Sequence, residues 1–166
     1  MADYQAHINQ AKKNLVILSS ISQRVDQSWD WQVTCAYYVA VHLMNAHIAK
    51  SANLHYKTHE KVKNALYDSL SPCKIPDDIY TSYVKLENLS RRARYLCHDD
   101  PETAVDAAHA FFTYDKHLKK AIIQLDKLLN YFSNLYKENL GSTEINCIEI
   151  KSLSLSNFKY KQVVFV

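Results

Sequence analysis

The sequence predicts an all-α protein, a five-helix up-and-down bundle closed by a short extended or β-hairpin C-terminal segment. Three observations lead there. The 166-residue chain holds one glycine and three prolines, too few for the tight hairpins of an all-β fold or for a glycine-lined phosphate loop. Hydrophobic residues make up 48% and charged residues 22%, the balance of a chain able to bury a globular core. Over most of the length, apolar residues recur at steps of three and four, the period of one helix face.

The first helix is expected over 4–25, where Tyr4, Ile8, Ala11, Leu15, Leu18, Ile21 and Val25 share a face and Gln10, Lys13, Asn14 and Gln23 fill the others. It belongs on the outside. The second opens near Asp26 or Ser28 and runs to about Lys50, with Trp31, Cys35, Tyr38 and His42 on one stripe and Val33, Tyr37, Val41, Met44 and Ile48 on others. A helix apolar on most sides belongs at the centre of a bundle. Thr58 is placed as the N-cap of a short third helix through Leu70, and Pro72 and Pro76 bracket the turn after it.

Asp77 and Asp78 suit the first turn of a fourth helix, where carboxylates complement the positive end of the dipole. Its buried stripe is Ile79, Tyr83, Leu86, Leu89, Ala93, Leu96 and Cys97. The run Asp99, Asp100, Pro101, Glu102 reads as a stop and a new start, with Asp100 as N-cap and Pro101 as first residue of a long fifth helix. That helix carries Ala104, Ala108, Phe111, Leu118, Ile122, Leu125, Leu129, Phe132 and Tyr136, with room for a kink between His109 and Asp115. Gly141 is expected as its left-handed C-terminal residue. The bundle then occupies 1–141. In 142–166, Ile145, Cys147 and Ile150, Leu153 and Leu155, then Phe158 and Tyr160 alternate with polar residues, the pattern of two short strands or an extended tail. A lone hairpin is marginal in water, so this segment should pack on the bundle or on another protomer.

A net charge of +3 is too small to mark a nucleic-acid binder, so any such case rests on local charge. Cys35, Cys73, Cys97 and Cys147 are widely spaced, form no CxxC pair and follow no leader pattern, which favours reduced thiols in a cytoplasmic protein. The longest apolar-rich run, Trp31 to Ala49, is interrupted by Gln32, His42, Asn45 and His47, which argues against a membrane span.

Local charge is concentrated on the fourth helix. At about 100° per residue, Glu87, Arg91, Arg94 and His98 fall within an arc of roughly 60° beside the apolar stripe, and Arg92 points away. A guanidinium presents a planar fork of donors to phosphate oxygens, and an imidazole titrates near neutrality. Together they suffice, without a metal or other cofactor, to cleave RNA through its own 2′-hydroxyl. The bland alternative is a solvated charged face in which Glu87 pairs with Arg91 at helical spacing.

The order of elements, the run Tyr37-Tyr38-Val39-Ala40-Val41-His42, the His55 to His59 region, and Leu89-Ser90-Arg91-Arg92-Ala93-Arg94-Tyr95-Leu96-Cys97-His98 resemble the HEPN superfamily of helical-bundle domains over roughly Tyr4 to Tyr136. Its signature is an arginine, usually followed by a polar residue, with four to six residues in all between the arginine and a histidine. Arg91 with His98 matches at the long limit, Arg92 with His98 matches too, and Arg94 is too close. The resemblance implies a metal-independent endoribonuclease, toxin or defence-like, working as a homodimer that brings two arginine and histidine pairs into one cleft. Arg91 would hold the scissile phosphate and His98 would manage the 2′-hydroxyl proton. Arg92, Arg94, Glu87, Tyr95, Tyr38 and His42 would support them. An antitoxin or nucleotidyltransferase partner is also implied, although Asp100 stands where some toxins carry the tyrosine such a partner modifies. Asp99 and Asp100 add negative charge beside the phosphate site, and many superfamily members are non-catalytic binding modules for a protein or nucleotide.

Other constellations carry less. His55 and His59, four apart, with His42 or His47 would make a metal site only if His55 were helical, and it precedes the helix, so loop and capping roles are favoured and no metal is expected. Tyr38 and His42 read more readily as hydrogen-bonded core groups whose polar tips brace the fourth helix. Tyr80, Tyr83, Tyr95 and Tyr131 are available to stack on bases but suit bundle packing better, and Lys116, Lys119, Lys120 and Lys127 read as a solvated face.

Overall fold

The computed structural model describes residues 3–100, 102–106 and 108–165. Five α-helices, α1 (Tyr4–Arg24), α2 (Trp29–Ala52), α3 (His59–Tyr67), α4 (Asp77–Tyr95) and α5 (Asp115–Tyr136), precede two three-residue strands, β1 (Thr143–Ile145) and β2 (Phe158–Tyr160), with a 3-10 turn at Ile148–Ile150 between them. α2 is the hub, packing against α1, α4 and α5, while the short α3 bridges α2 and α4. The centrality expected from its all-round apolar composition is therefore observed. The core it organises includes Tyr37, Leu43, Met44 and Ile48 of α2, Ile8 and Leu18 of α1, Tyr83 and Leu86 of α4, and Leu118 and Phe132 of α5, all fully buried. No helix among the described residues is long and apolar enough to cross a membrane, and all four cysteines are free thiols.

Local chemistry sets most boundaries. Asp3 caps α1 by accepting the Ala6 N–H at 2.8 Å, and Thr58 caps α3 through the Lys61 N–H. Asn53 ends α2 and Leu96 ends α4 in the left-handed region, at φ 54° and 53°. Inside the bundle, the buried His47 accepts from the Tyr136 hydroxyl at Nδ1 (2.7 Å) and donates from Nε2 to the Cys73 carbonyl (3.0 Å), joining α2 to α5 and to the turn before α4. Burial lowers its pKa, in keeping with the neutral ring this bonding requires. Asn14, expected on the polar side of α1, is buried, and Val25, expected on its apolar face, is half exposed.

Three expectations fail. The fifth helix does not begin near residue 101: Pro101 lies outside the described residues, and 102–106 and 108–114 contain no helix. The reason is local competition for the backbone. Asp100 accepts the Glu102 N–H, Asp106 accepts the Ala108 N–H, and the Phe111 N–H goes back to the Leu96 carbonyl, so groups a helix would need are engaged elsewhere. α5 instead starts after Tyr114, whose N–H donates to Nδ1 of His117 at 2.9 Å. Its end comes early, with Lys137 rather than Gly141 as the left-handed cap (φ 58°), and Gly141 at φ 78° serves the turn into β1.

The third failure is the hairpin. β1 and β2 pair parallel, with Thr143 opposite Phe158 and Ile145 opposite Tyr160, because the 3-10 turn and a loop carry the chain back to the start of β1. The segment packs on its own bundle. Ile145, Cys147, Ile150 and Phe158 enter the core, and the free edge of β1 lies along α1, where Ser19 donates to the Glu144 carbonyl and Ser22 accepts the Asn146 N–H. The buried Asp126 carboxylate of α5 receives the Ser156 and Asn157 backbone N–H groups and the Asn157 and Asn130 side-chain amides, fastening the return loop.

Candidate functional site

The C-terminal half of α4 and the connection that follows it hold the arginines and the histidine singled out from the sequence. α4 ends at Tyr95, so His98 is not on the helix and does not extend its arginine face; the left-handed Leu96 turns the chain away two residues earlier. Arg91 projects from the exposed side of α4. Glu87 does not pair with it. The Glu87 carboxylate is buried and bonds Lys63 of α3 at 3.0 Å, because its direction on α4 is toward α3 rather than toward solvent.

Arg92 is the arginine that reaches the histidine's surroundings. Its Nε and Nη2 donate to the Phe112 carbonyl at 3.2 and 3.0 Å, its Nη1 reaches the Asp99 carboxylate at 3.4 Å, and its guanidinium lies 5.4 Å from the Phe111 ring. With 9% of its surface exposed, Arg92 is a buried clamp on the α4–α5 connection. Asp99 also lies 3.8 Å from Nδ1 of His98 and 4.0 Å from Lys120. His98 packs edge-on against Phe111 at 5.1 Å and accepts the Asp100 N–H at Nδ1 (3.0 Å), which leaves the proton of the neutral ring on Nε2. His117, beneath this knot, has its pKa lowered to about 4 by burial and then by Arg92, Lys116 and Lys120, as its Nδ1 acceptor role demands.

Arg94 faces the other way, toward α2. Its Nε donates to the Ser90 carbonyl, its Nη1 reaches the Tyr95 hydroxyl at 3.4 Å, and the guanidinium lies 5.0 Å from the Tyr95 ring and 5.9 Å from Tyr37. Tyr37 in turn bonds His59 of α3 at 3.0 Å and sits 6.0 Å from Tyr38. Tyr38 is 40% exposed, Trp31 on the same stripe 63%, and Tyr95 66%. The end of α4 therefore carries the half-buried Arg94 between the exposed Tyr95 and the Tyr37 ring of α2, with Tyr38 beside Tyr37. A pocket of about 360 Å³ between α4 and α5, lined by Lys85, Asn88, Asp99, Lys120 and Gln124, adjoins the Arg92–Asp99 pair. A larger cleft of about 750 Å³ lies between α1 and the C-terminal segment, and neither Arg91 nor His98 lines it.

His42 does not brace α4. It turns toward α1, where its Nδ1 lies 3.1 Å from Nδ1 of His7, while Nε2 of His7 lies 3.1 Å from Nδ1 of His55. The sequence reading missed His7, although His7, Ala11, Asn14 and Leu18 recur at helical spacing and all are buried. Among the described residues, no group of three or more His, Cys, Asp or Glu side chains is arranged to hold a metal ion.

The roles of the two adjacent arginines separate by stability. Arg92→Ala is expected to cost about 3 kcal/mol in urea unfolding, because it strands the Phe112 carbonyl and removes a charge-assisted bond. Arg91→Ala, on an exposed position, should change stability by less than about 0.5 kcal/mol. Equal losses from both substitutions would contradict this assignment. Comparison with family models, characterised proteins and solved structures finds no match to this chain.

Proposed function

We propose that the protein is a HEPN-type, metal-independent endoribonuclease acting as a homodimer. The observation that carries this reading is the accessible Arg91 just before the last turn of α4, with His98 in the connection after the helix and exposed aromatic side chains on α2 and α4. The 2′-oxygen of RNA attacks the adjacent phosphorus as the bond to the 5′-oxygen breaks, giving a 2′,3′-cyclic phosphate and a 5′-hydroxyl. Arg91 neutralises the phosphate charge that develops. His98 is suited to protonating the departing 5′-oxygen through Nε2 as an imidazolium, which requires Nδ1 to take up a proton and release the Asp100 N–H it accepts in the structure. Taking the 2′-hydroxyl proton then falls to the second protomer's copy of the motif or to water. Cleavage that persists in chelator and yields cyclic-phosphate ends tests the reaction, and intact RNA under both conditions would end the enzyme reading.

A non-catalytic RNA- or protein-binding module is the second reading. It is favoured by Asp99, which places a carboxylate 3.8 Å from His98, where a substrate phosphate would be repelled. Both readings use the exposed Trp31, Tyr38 and Tyr95 as a two-fold contact, since aromatic side chains left in water on the packed pair α2 and α4 suit burial against a second copy of the chain. Light scattering should give twice the monomer mass at tens of micromolar, and Trp31→Glu should raise the dissociation constant at least about tenfold. A strict monomer would remove the composite-site mechanism.

A further inference from the structure

The line of three imidazoles, His42 of α2, His7 of α1 and His55 of the α2–α3 loop, is independent of the arginine site. Both links are 3.1 Å long, and the His7 ring lies 5.4 Å from His42 and 5.2 Å from His55, nearly parallel to the latter. His7 is buried and sits in the middle, using both of its nitrogens. It therefore cannot aim both at one metal ion, and the arrangement is a hydrogen-bonded chain rather than a ligand set.

The proton count of such a chain is restrictive. Each link needs one N–H and one lone pair. With three neutral rings both links form, either with His55 donating to His7 and His7 to His42, or with every donor reversed. One added proton is also accommodated: on His7, which then donates both ways, or on the outer nitrogen of whichever terminal ring is donating. A second proton is not. Any two cationic rings put two N–H groups against each other in one link, and the two positive charges repel within one short chain.

We propose that the His42–His7–His55 chain is an acid-operated clasp that holds the α2–α3 loop on α1 and releases it when a second proton binds. The loop depends on this tether. Among the described residues, His55 supplies the hydrogen bond from 54–57 to another part of the chain, with Tyr56 packed half-buried on the core. The next residues tie α3 to its neighbours: Thr58 caps α3, His59 holds Tyr37 of α2, and Lys63 holds Glu87 of α4. Opening the clasp thus loosens α3 and the support of Arg94.

The electrostatic surroundings agree with release by acid. The pKa of His7 is lowered to about 4, first by burial and then by His42 and His55, with Asp3 opposing. That of His42 is lowered by burial and by His55. Glu138, the other carboxylate beside this part of α1, is engaged by the Tyr4 hydroxyl and Lys12, and Lys50 lies over the Tyr4 ring. A histidine whose folded pKa lies below its unfolded value of 6.5 binds more protons unfolded, so the closed state is fully favoured above about 6.5 and loses ground as pH falls toward about 4.

The test is a titration of the full chain by imidazole NMR from about pH 7.5 to 4.5, following the His7–His55 ring contact. The expected result is loss of that contact near or below about pH 6 in a transition steeper than one proton, with a Hill slope approaching about 2. His55→Gln, at a half-exposed loop position, should fold normally, release the loop already at about pH 7.5, and leave the His42–His7 link to titrate with a slope of about 1. A ring contact that persists to about pH 4.5, or a one-proton slope, would overturn the clasp. So would stoichiometric Zn²⁺ binding at about pH 7 abolished by His42→Gln, which would make the cluster a metal site.

Discussion

His98→Ala is expected to lower RNA cleavage by about 10²–10⁴-fold with little change in stability, the range for losing a positioned proton donor. Its half-exposed ring makes one hydrogen bond, to the Asp100 N–H, and one edge-on aromatic contact, so the fold has little to lose. Arg91→Ala should fall by about 10²–10³-fold, as for the removal of one group that stabilises a developing anion. The control is Arg92→Ala, whose defect should appear as unfolding of the connection after α4 and not as a clean loss of turnover. Should His98→Ala cleave RNA as well as the parent protein, the activity would belong to something other than this motif. A fall in turnover for Arg92→Ala alone would transfer the phosphate role to the buried arginine.

Asp126→Ala is expected to destabilise the protein by about 3 kcal/mol, with the C-terminal segment released first. The carboxylate is 6% exposed and receives four hydrogen bonds, two of them from backbone N–H groups of the return loop before β2. Removing it leaves buried donors unpaired. Asp126→Asn should cost nearly as much, because each carboxylate oxygen faces two donors and an amide replaces one acceptor by a third donor. Urea unfolding gives the magnitude, and faster tryptic cleavage at Lys159 and Lys161 with α1–α5 intact gives the order of events. A change below about 0.5 kcal/mol would show that apolar contacts alone hold the segment.

The helices that the sequence marks well are those whose stability comes from one apolar stripe. α1, α2 and α4 appear within a few residues of their expected bounds, since Ile8, Leu15 and Leu18, or Tyr83, Leu86 and Leu89, leave no other way to bury one side of the chain. Where the stripe weakens, between His98 and Tyr114, periodicity of Ala104, Ala108 and Phe111 suggested a helix that side-chain hydrogen bonding prevents. Asp100, Asp106 and Arg92 each take a backbone group from that stretch, and Arg92 comes from another element. A wheel drawn through 87–98 likewise continued a helix past Leu96 and placed His98 on a face it does not occupy.

By itself, then, the order of residues determined that the chain is a bundle of five helices with α2 at its hub, that Thr58 and the Asp77–Asp78 pair open helices, and that Arg92 diverges from Arg91. These follow from interactions within a turn or two and from a period of 3.6. Only the tertiary structure decided which carboxylate Lys63 neutralises, that β1 and β2 run parallel, that Arg92 holds the connection after α4, and that His7, His42 and His55 meet. Those pairings join groups 15 to 48 positions apart, and each depends on how two elements are rotated against one another, a quantity that no local pattern of residues encodes.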